Sequence, residues 1–250
     1  MLEINGLVKK FGGVTATNDV SMSFAEGSLS AVIGPNGAGK TTLFNQITGH
    51  LLPDQGEILL NGENLVGLKP REIVAKGLGR AFQVASIFPT FSVLDALMSS
   101  VSAHEMKSEK LFQPFDNKVV RERAEQLLAV LGLESVGHVA SSKISHGDQK
   151  VLDIGLALAL KPRVLLLDEP TAGMGPDERW QMVRTVQRLW EDNNLTLIFI
   201  EHDMDIVFEI AQHIHVLRYG ALIASGNADE IRTNEEVIEA YLGRELEEDA

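Results

Sequence analysis

The chain has 250 residues, 44% of them hydrophobic and 23% charged, with 22 Lys and Arg against 35 Asp and Glu and a net charge of −13. A chain of this length and composition buries most of the surface it exposes when unfolded, which excludes a peptide and default disorder. The acidic balance argues against a broad phosphate-backbone contact, so no nucleic-acid partner is expected, and the absence of cysteine removes disulfides, thiolate metal sites and a Cys nucleophile.

In chain order, the opening residues Met1 to Gly13 lack the long apolar core and small-residue cleavage site of a secretory signal, so the chain is expected to stay in the cytosol. Leu2 to Val8, Ala16 to Phe24 and Gly56 to Leu60 read as strands separated by turns, an antiparallel β lobe. Leu29 to Ile33 is a buried-type strand. From Pro89 to Leu160 the pattern is helical, with the periodic run Val119, Ala124, Leu127, Leu128 and Leu131 closed by Gly132 as a C-cap. Ser102 to Asn117 is polar and irregular. Val164 to Leu167, Leu195 to Ile200 and Ile214 to Leu217 are again short apolar strands with long helical patterns between them, which predicts an α/β chain with a largely parallel central sheet. The acidic run Arg244 to Asp249 reads as a solvated end. The most apolar stretches, Ile154 to Leu160 and Leu195 to Ile200, fall far short of the about 20 apolar residues of a membrane span, so any membrane role is borrowed from a partner.

Gly34-Pro35-Asn36-Gly37-Ala38-Gly39-Lys40-Thr41-Thr42 fits G-x-x-x-x-G-K-[ST] between a strand and a helix-compatible run. Glycines let consecutive backbone N–H groups turn inward on phosphate oxygens, Lys40 neutralises phosphate charge, and the Thr41 hydroxyl suits Mg²⁺. An ordinary glycine-rich turn would not need Lys-Thr at its end. Asp168 and Glu169 close the strand Val164 to Leu167, where phosphate-binding sheets hold Mg²⁺ and activate water. Adjacent strand residues face opposite ways, which gives Asp168 to the metal and Glu169 to the attacking water. Ser145-His146-Gly147-Asp148-Gln149 opens the apolar helix Val151 to Leu160 and forms a second anion site or, on its own, a plain N-cap. Gln83 follows the strand-like Gly79-Arg80-Ala81-Phe82, and His202 follows Leu195 to Ile200. Each alone would be loop or core, and their order after Lys40 and Asp168 raises them.

Over residues 2 to 243 the sequence resembles the ATP-binding subunits of ABC transporters. The motifs that carry the resemblance are the phosphate loop at Gly34 to Thr42, the Q-loop at Gln83, the signature at Ile144 to Asp148, the Asp168-Glu169 strand and the switch His202. Lys10 to Gly13, Gly79 to Gln83, Asp168 to Met174 and Glu239 to Gly243 look like the subunit that serves branched-chain amino acid importers, and relatives serving urea or amide uptake look similar. The resemblance implies an α/β P-loop NTPase fold, RecA-like in its parallel core, with an antiparallel β lobe and an inserted helical subdomain. It implies one ATPase domain over 1–250, its catalytic core and β lobe at 1–88 and 161–250 and its helical signature subdomain at 89–160.

The same resemblance implies ATP and Mg²⁺ as cofactors and a head-to-tail pair with a second ATP-binding subunit, identical or related. Each ATP then lies between the phosphate loop of one subunit and Ser145 and Gly147 of the other. Two membrane permeases and, indirectly, a periplasmic or extracellular binding protein complete the expected complex, on whose cytoplasmic membrane face this subunit sits. Glu169, His202 and Gln83 are the expected catalytic set, with Thr41, Gln83 and Asp168 on the metal. Phe11 either stacks on adenine or packs in the β-lobe core. Two motifs depart from the family pattern: His146 and Asp148 replace the first Gly and the Gln of the usual Leu-Ser-Gly-Gly-Gln, and Ala172-Gly173-Met174-Gly175 has no acid where a cross-dimer loop usually carries one. The alternatives are an ATPase for lipid or lipopolysaccharide export and a soluble ABC-type ATPase. The apolar segment Val84 to Leu94, with Ile87, Phe88 and Phe91, is expected to pack inside the helical region or to form a groove for a permease helix.

Overall fold

The computed structural model describes residues 1–81, 88–105 and 118–248. Strands β1 (Leu2–Phe11), β2 (Val14–Phe24), β4 (Gln55–Leu60) and β5 (Glu63–Asn64) form an antiparallel sheet in the order β2-β1-β4-β5. Ile4 pairs with Met22 but Leu7 with Val20, so β1 carries one extra residue there, at Gly6 with φ 61°. That bulge returns Leu7 to the buried side already occupied by Leu2 and Ile4.

The second sheet has six strands: β3 (Leu29–Ile33), β6 (Leu78–Ala81), β7 (Val164–Asp168), β8 (Thr196–Ile200), β9 (His213–Arg218) and β10 (Ala221–Gly226), in the order β10-β9-β3-β8-β7-β6. All neighbours are parallel except β9 and β10. Its central strands are buried throughout, and alternate residues feed two cores. Leu165, Leu167, Leu197 and Phe199 join the core shared with the long helices. Leu166, Ile198 and Ile200 join the other, with Leu2, Ile4, Phe24 and Phe44. The period of two that decides which core a side chain enters also decides which way Asp168 points.

Helix α1 (Lys40–Ile47) follows β3 directly, and its Leu43, Phe44 and Ile47 lie between the two sheets. Short α2 (Pro70–Ala75) precedes β6. Helices α3 (Val93–Glu105), α4 (Lys118–Leu131) and α5 (His146–Leu158) pack on one another. On α4 the buried stripe is Val120, Ala124, Leu128 and Leu131, spaced at i, i+4, i+8 and i+11, whereas Val119 is 60% exposed. The expected stripe therefore began one residue early, because Val119 lies about 100° around the helix from Val120. The expected stop is present: Gly132 has φ 71°, its N–H donates to the Ala129 carbonyl and the Leu133 N–H to the Leu128 carbonyl.

Helix α6 (Pro176–Asn193) returns the chain to β8, α7 (Met204–Ile210) to β9, and α8 (Ala228–Arg232) and α9 (Glu235–Glu248) close the described chain. No described helix is long and apolar enough to cross a membrane.

Candidate active site

Sheet register brings the sequence-distant motifs to one edge. Ile200 pairs with both Val32 and Asp168, so the chain leaves β3, β7 and β8 side by side and opens there into Gly34, Glu169 and Glu201-His202. Ala81 pairs with Leu167, which sets the end of β6 beside them. Gln83, expected on metal and water, and Ile87 lie outside the described residues.

The phosphate loop is walled by backbone. A Cβ on Gly34 would lie 2.1 Å from the Leu217 carbonyl oxygen, and one on Gly39 2.2 Å from that of Ala16. Both glycines have positive φ, 149° and 101°, so any other residue is blocked by space and conformation together. Asn36 and Gly37 are exposed at the tip, while Ala38 is buried and its carbonyl accepts from the Gly220 N–H at 3.0 Å. Lys40 is buried and folds back, its Nζ donating to the carbonyls of Gly34 at 2.6 Å and Pro35 at 3.1 Å. Thr41 is exposed and Thr42 half-buried in the first turn of α1, a turn with no side-chain cap from Gly39. A glycine loop walled by backbone, a lysine and an exposed hydroxyl together suit a polyphosphate.

Asp168 faces the same core as Leu166. There its Oδ2 accepts from Arg80 Nη2 at 2.6 Å, and Arg80 Nη1 donates to Asn45 Oδ1 at 2.7 Å. Both members of the pair are nearly fully buried. Glu169 turns the other way off the strand end, in a left-handed backbone with φ 49°. A non-glycine residue there carries strain of about 1–3 kcal/mol and persists only when its surroundings hold it. Here its N–H donates to Ile200, and its carbonyl accepts from the Ala172 N–H and from Lys150 Nζ. The strain aims the side chain at His202, whose Nε2 lies 3.0 Å from Glu169 Oε1.

A buried carboxylate supports that pair from behind. Glu201 Oε1 accepts from both the N–H and the hydroxyl of Thr171, at 2.9 and 2.6 Å, and its Oε2 accepts from the His202 N–H at 3.1 Å. Glu201 thereby links the loop after Glu169 to the loop that carries His202. Arg80, Asn45, Lys150, Thr171 and Glu201 were not expected as site residues. Only a buried-type acid directly before His202 hinted at one of them.

Ser145 caps α5, its Oγ accepting from the Asp148 N–H at 3.0 Å, and both Ser145 and His146 are exposed while Gly147 is half-buried. Beyond this cap α5 packs on α3, α4, β6 and β7. Phe11 ends β1 with 48% of its surface exposed and Lys9 Nζ 5.7 Å from its ring centre, which overturns the core-packing reading of Phe11. No group of three or more His, Asp or Glu side chains that could hold a metal occurs among the described residues. Of the oxygen donors expected on a metal, the Thr41 hydroxyl is exposed and suits a hard cation, while Asp168 has one carboxylate oxygen held by Arg80.

The ABC transporter family profile matches residues 17–172. The chain belongs to that family. A second profile, described as the branched-chain amino acid ATP-binding cassette transporter, matches residues 221–247 of this ABC cassette. The cassette is 37% identical to the high-affinity branched-chain amino acid transport ATP-binding protein LivG of Salmonella typhimurium, over 97% of this chain and 98% of that one. It is 36% identical, with the same coverage, to the corresponding protein BraF of Pseudomonas aeruginosa. Among solved structures it resembles the ADP conformation of an ATP-binding cassette of an ABC transporter, with a TM-score of 0.86 and 30% identity over 97% and 98% of the two chains. The resemblance of sequence motifs and the α/β P-loop fold expected from them are thereby borne out.

Proposed function

We propose that this cassette binds and hydrolyses ATP to drive uptake of branched-chain amino acids or similar small polar solutes. Its site is a head-to-tail pair with a second ATP-binding subunit, held peripherally on the cytoplasmic membrane face by two permeases that an external binding protein supplies. The observation that carries the ATPase reading is the 3.0 Å Glu169–His202 pair at the same sheet edge as the phosphate loop. The match at 221–247 and the names of the relatives support the solute.

In this reading Gly34 to Thr42 cradle the phosphates and Phe11 stacks on adenine. Lys40 moves from its two loop carbonyls to phosphate oxygens, where a charge-assisted contact is stronger. Thr41, Asp168 and Gln83 would hold Mg²⁺, which neutralises charge on the phosphate oxygens when bound. Glu169 orients the attacking water and takes its proton at the carboxylate. His202 currently occupies that carboxylate. It donates instead to the γ-phosphate once nucleotide separates the two, so ATP entry itself exposes the base. Ser145 and Gly147 of the opposite subunit complete the phosphate shell from a helix N-terminus. Residues 89–160 carry that signature as a helical subdomain, and 1–88 with 161–250 form the catalytic core and β lobe.

A cavity of about 310 Å³ between α2, β6, α3 and α5 takes a cytoplasmic helix of the permease. Phe88 lines it, packs on the helical core and stacks on Phe91 with ring centres 5.1 Å apart. The test is the complete transporter in sealed vesicles, with phosphate release and labelled leucine, isoleucine and valine followed together. ATP-dependent uptake that Phe88→Ala abolishes is expected. Phosphate release without uptake of any of the three overturns the solute, and no phosphate release at all overturns the ATPase.

A further inference from the structure

Strand β1 runs on past the end of β4. Their pairing stops at Val8 with Gln55, whereas Lys9, Lys10 and Phe11 continue on the other edge with Thr17, Thr15 and Val14 of β2. Phe11 therefore rides on a projecting hairpin tip. Asp54, the residue before β4, takes over where that strand leaves off. Its N–H donates to the Val8 carbonyl at 2.8 Å, its Oδ2 accepts from the Lys10 N–H at 2.7 Å, and its Oδ1 accepts from Lys9 Nζ at 2.9 Å.

The hydrogen bonds from Lys9 first and Lys10 second hold the Asp54 carboxyl below the usual carboxylate range. The Lys9 side chain is only 16% exposed, and its ammonium stands over the Phe11 ring. Asp54 is far more open, and an ion pair with one open partner contributes little to stability. What the three bonds fix is direction. They set the last residues of β1 and place a cation on one face of a half-exposed ring, which leaves the other face for a flat partner.

The second strand of the hairpin is anchored to the phosphate loop. Ala16, left over between the Lys9–Thr17 and Lys10–Thr15 pairs, directs its carbonyl at Gly39, and the Asn18 N–H donates to the Gly220 carbonyl at 2.8 Å. One strand thus walls the phosphate loop while the other carries Phe11, so the span from ring to loop depends on how the tip is held.

We infer that Asp54 is a positioning residue for the nucleotide base, setting through Lys9 and Lys10 the distance and tilt of the Phe11 ring relative to the phosphate loop. This rests on the reading of Phe11 as the adenine platform given under Proposed function. Stacking is directed by no hydrogen bond, so with the phosphates anchored its strength depends on where the ring lies. The ammonium on one face also draws π density from the ring, which favours an electron-rich purine on the other.

The experiment compares ATP with inorganic tripolyphosphate, which has the phosphates and no base, by titration calorimetry on the full chain with Mg²⁺ present. The ratio of the two dissociation constants isolates the contribution of the base. Phe11→Ala is expected to cut that ratio by about tenfold or more, the loss of one stacked base. Asp54→Ala and Lys9→Met should each cut it by about fivefold while tripolyphosphate affinity stays within about twofold of the parent. Asp54→Asn can still accept from the Lys10 N–H and should keep more of the ratio than Asp54→Ala. If Phe11→Ala leaves the ratio unchanged, the adenine platform falls and takes the role of Asp54 with it. If Phe11→Ala lowers the ratio and neither Asp54→Ala nor Lys9→Met does, the platform stands and the positioning role is overturned. Equal losses for ATP and tripolyphosphate in Asp54→Ala overturn it as well, because they mark a general loosening of the hairpin against the loop.

Discussion

Lys150 Nζ donates to the backbone carbonyl of Glu169 at 3.1 Å, so the helix capped by Ser145 grips the residue assigned to water activation. The same ammonium donates to the Ala172 carbonyl at 2.5 Å, and Lys150 is buried. A shift of α5 along its axis therefore moves the strained turn at Glu169, which couples the signature helix to the carboxylate within one subunit.

Lys150→Met tests that grip. The ATP dissociation constant should stay within about twofold of the parent, because Lys150 touches no phosphate-loop residue in this arrangement, while single-turnover phosphate release in the assembled transporter falls by about 100-fold as Glu169 loses its hold. Equal losses in affinity and turnover would show a general loosening instead.

Glu169→Gln separates binding from chemistry. It keeps the size of the side chain and removes the proton acceptor, so hydrolysis should drop by about 100- to 10,000-fold with ATP still bound. Lys40→Ala should act earlier, weakening nucleotide binding itself. Equilibrium binding of a fluorescent ATP analogue, measured beside phosphate release, distinguishes the two.

Ser145→Arg places a bulky cation on an exposed cap. Nucleotide binding to the subunit's own phosphate loop should be retained, while the ATP-stabilised pair disappears from sedimentation profiles. A pair of undiminished population would remove Ser145 from the opposing site.

His215 predicts the acid side of stability. Burial first and the neighbouring His213 charge second push its pKa down to about 4, and its ring packs edge-on against Phe24. Below about 6.5 the unfolded chain takes up a proton that the folded chain refuses. This contribution is therefore fully present above pH 6.5 and is lost as pH falls toward 4, on the order of 3 kcal/mol in total. Urea midpoints across that range should fall more steeply for the parent than for His215→Gln, and parallel slopes would contradict the assignment.

The strands at 29–33, 164–168 and 196–200 were legible because each is buried on both faces and so reads as an unbroken apolar run. The phosphate loop was legible because its glycines and its lysine lie within nine consecutive residues. β10 was not, since a half-buried edge strand containing Ala221, Ser225 and Gly226 carries little apolar signal. The contacts from Arg80 to Asp168 and from Lys150 to Glu169 were also invisible. They join elements far apart in the chain through single polar atoms, and no period in the sequence records such a bond. Helix phase on α4 was misread by one position, because adjacent valines at 119 and 120 offer the same side chain to two different faces.

The loop that cradles phosphate is built early in the chain, yet its back wall is the carbonyl of Leu217 and the amide of Gly220. During synthesis the ribosome delivers residues 34–42 long before that wall exists. A nascent chain shorter than about 220 residues has the complete motif and no complete site. Nucleotide can therefore act as a late ligand of the finished fold rather than as an early template for it.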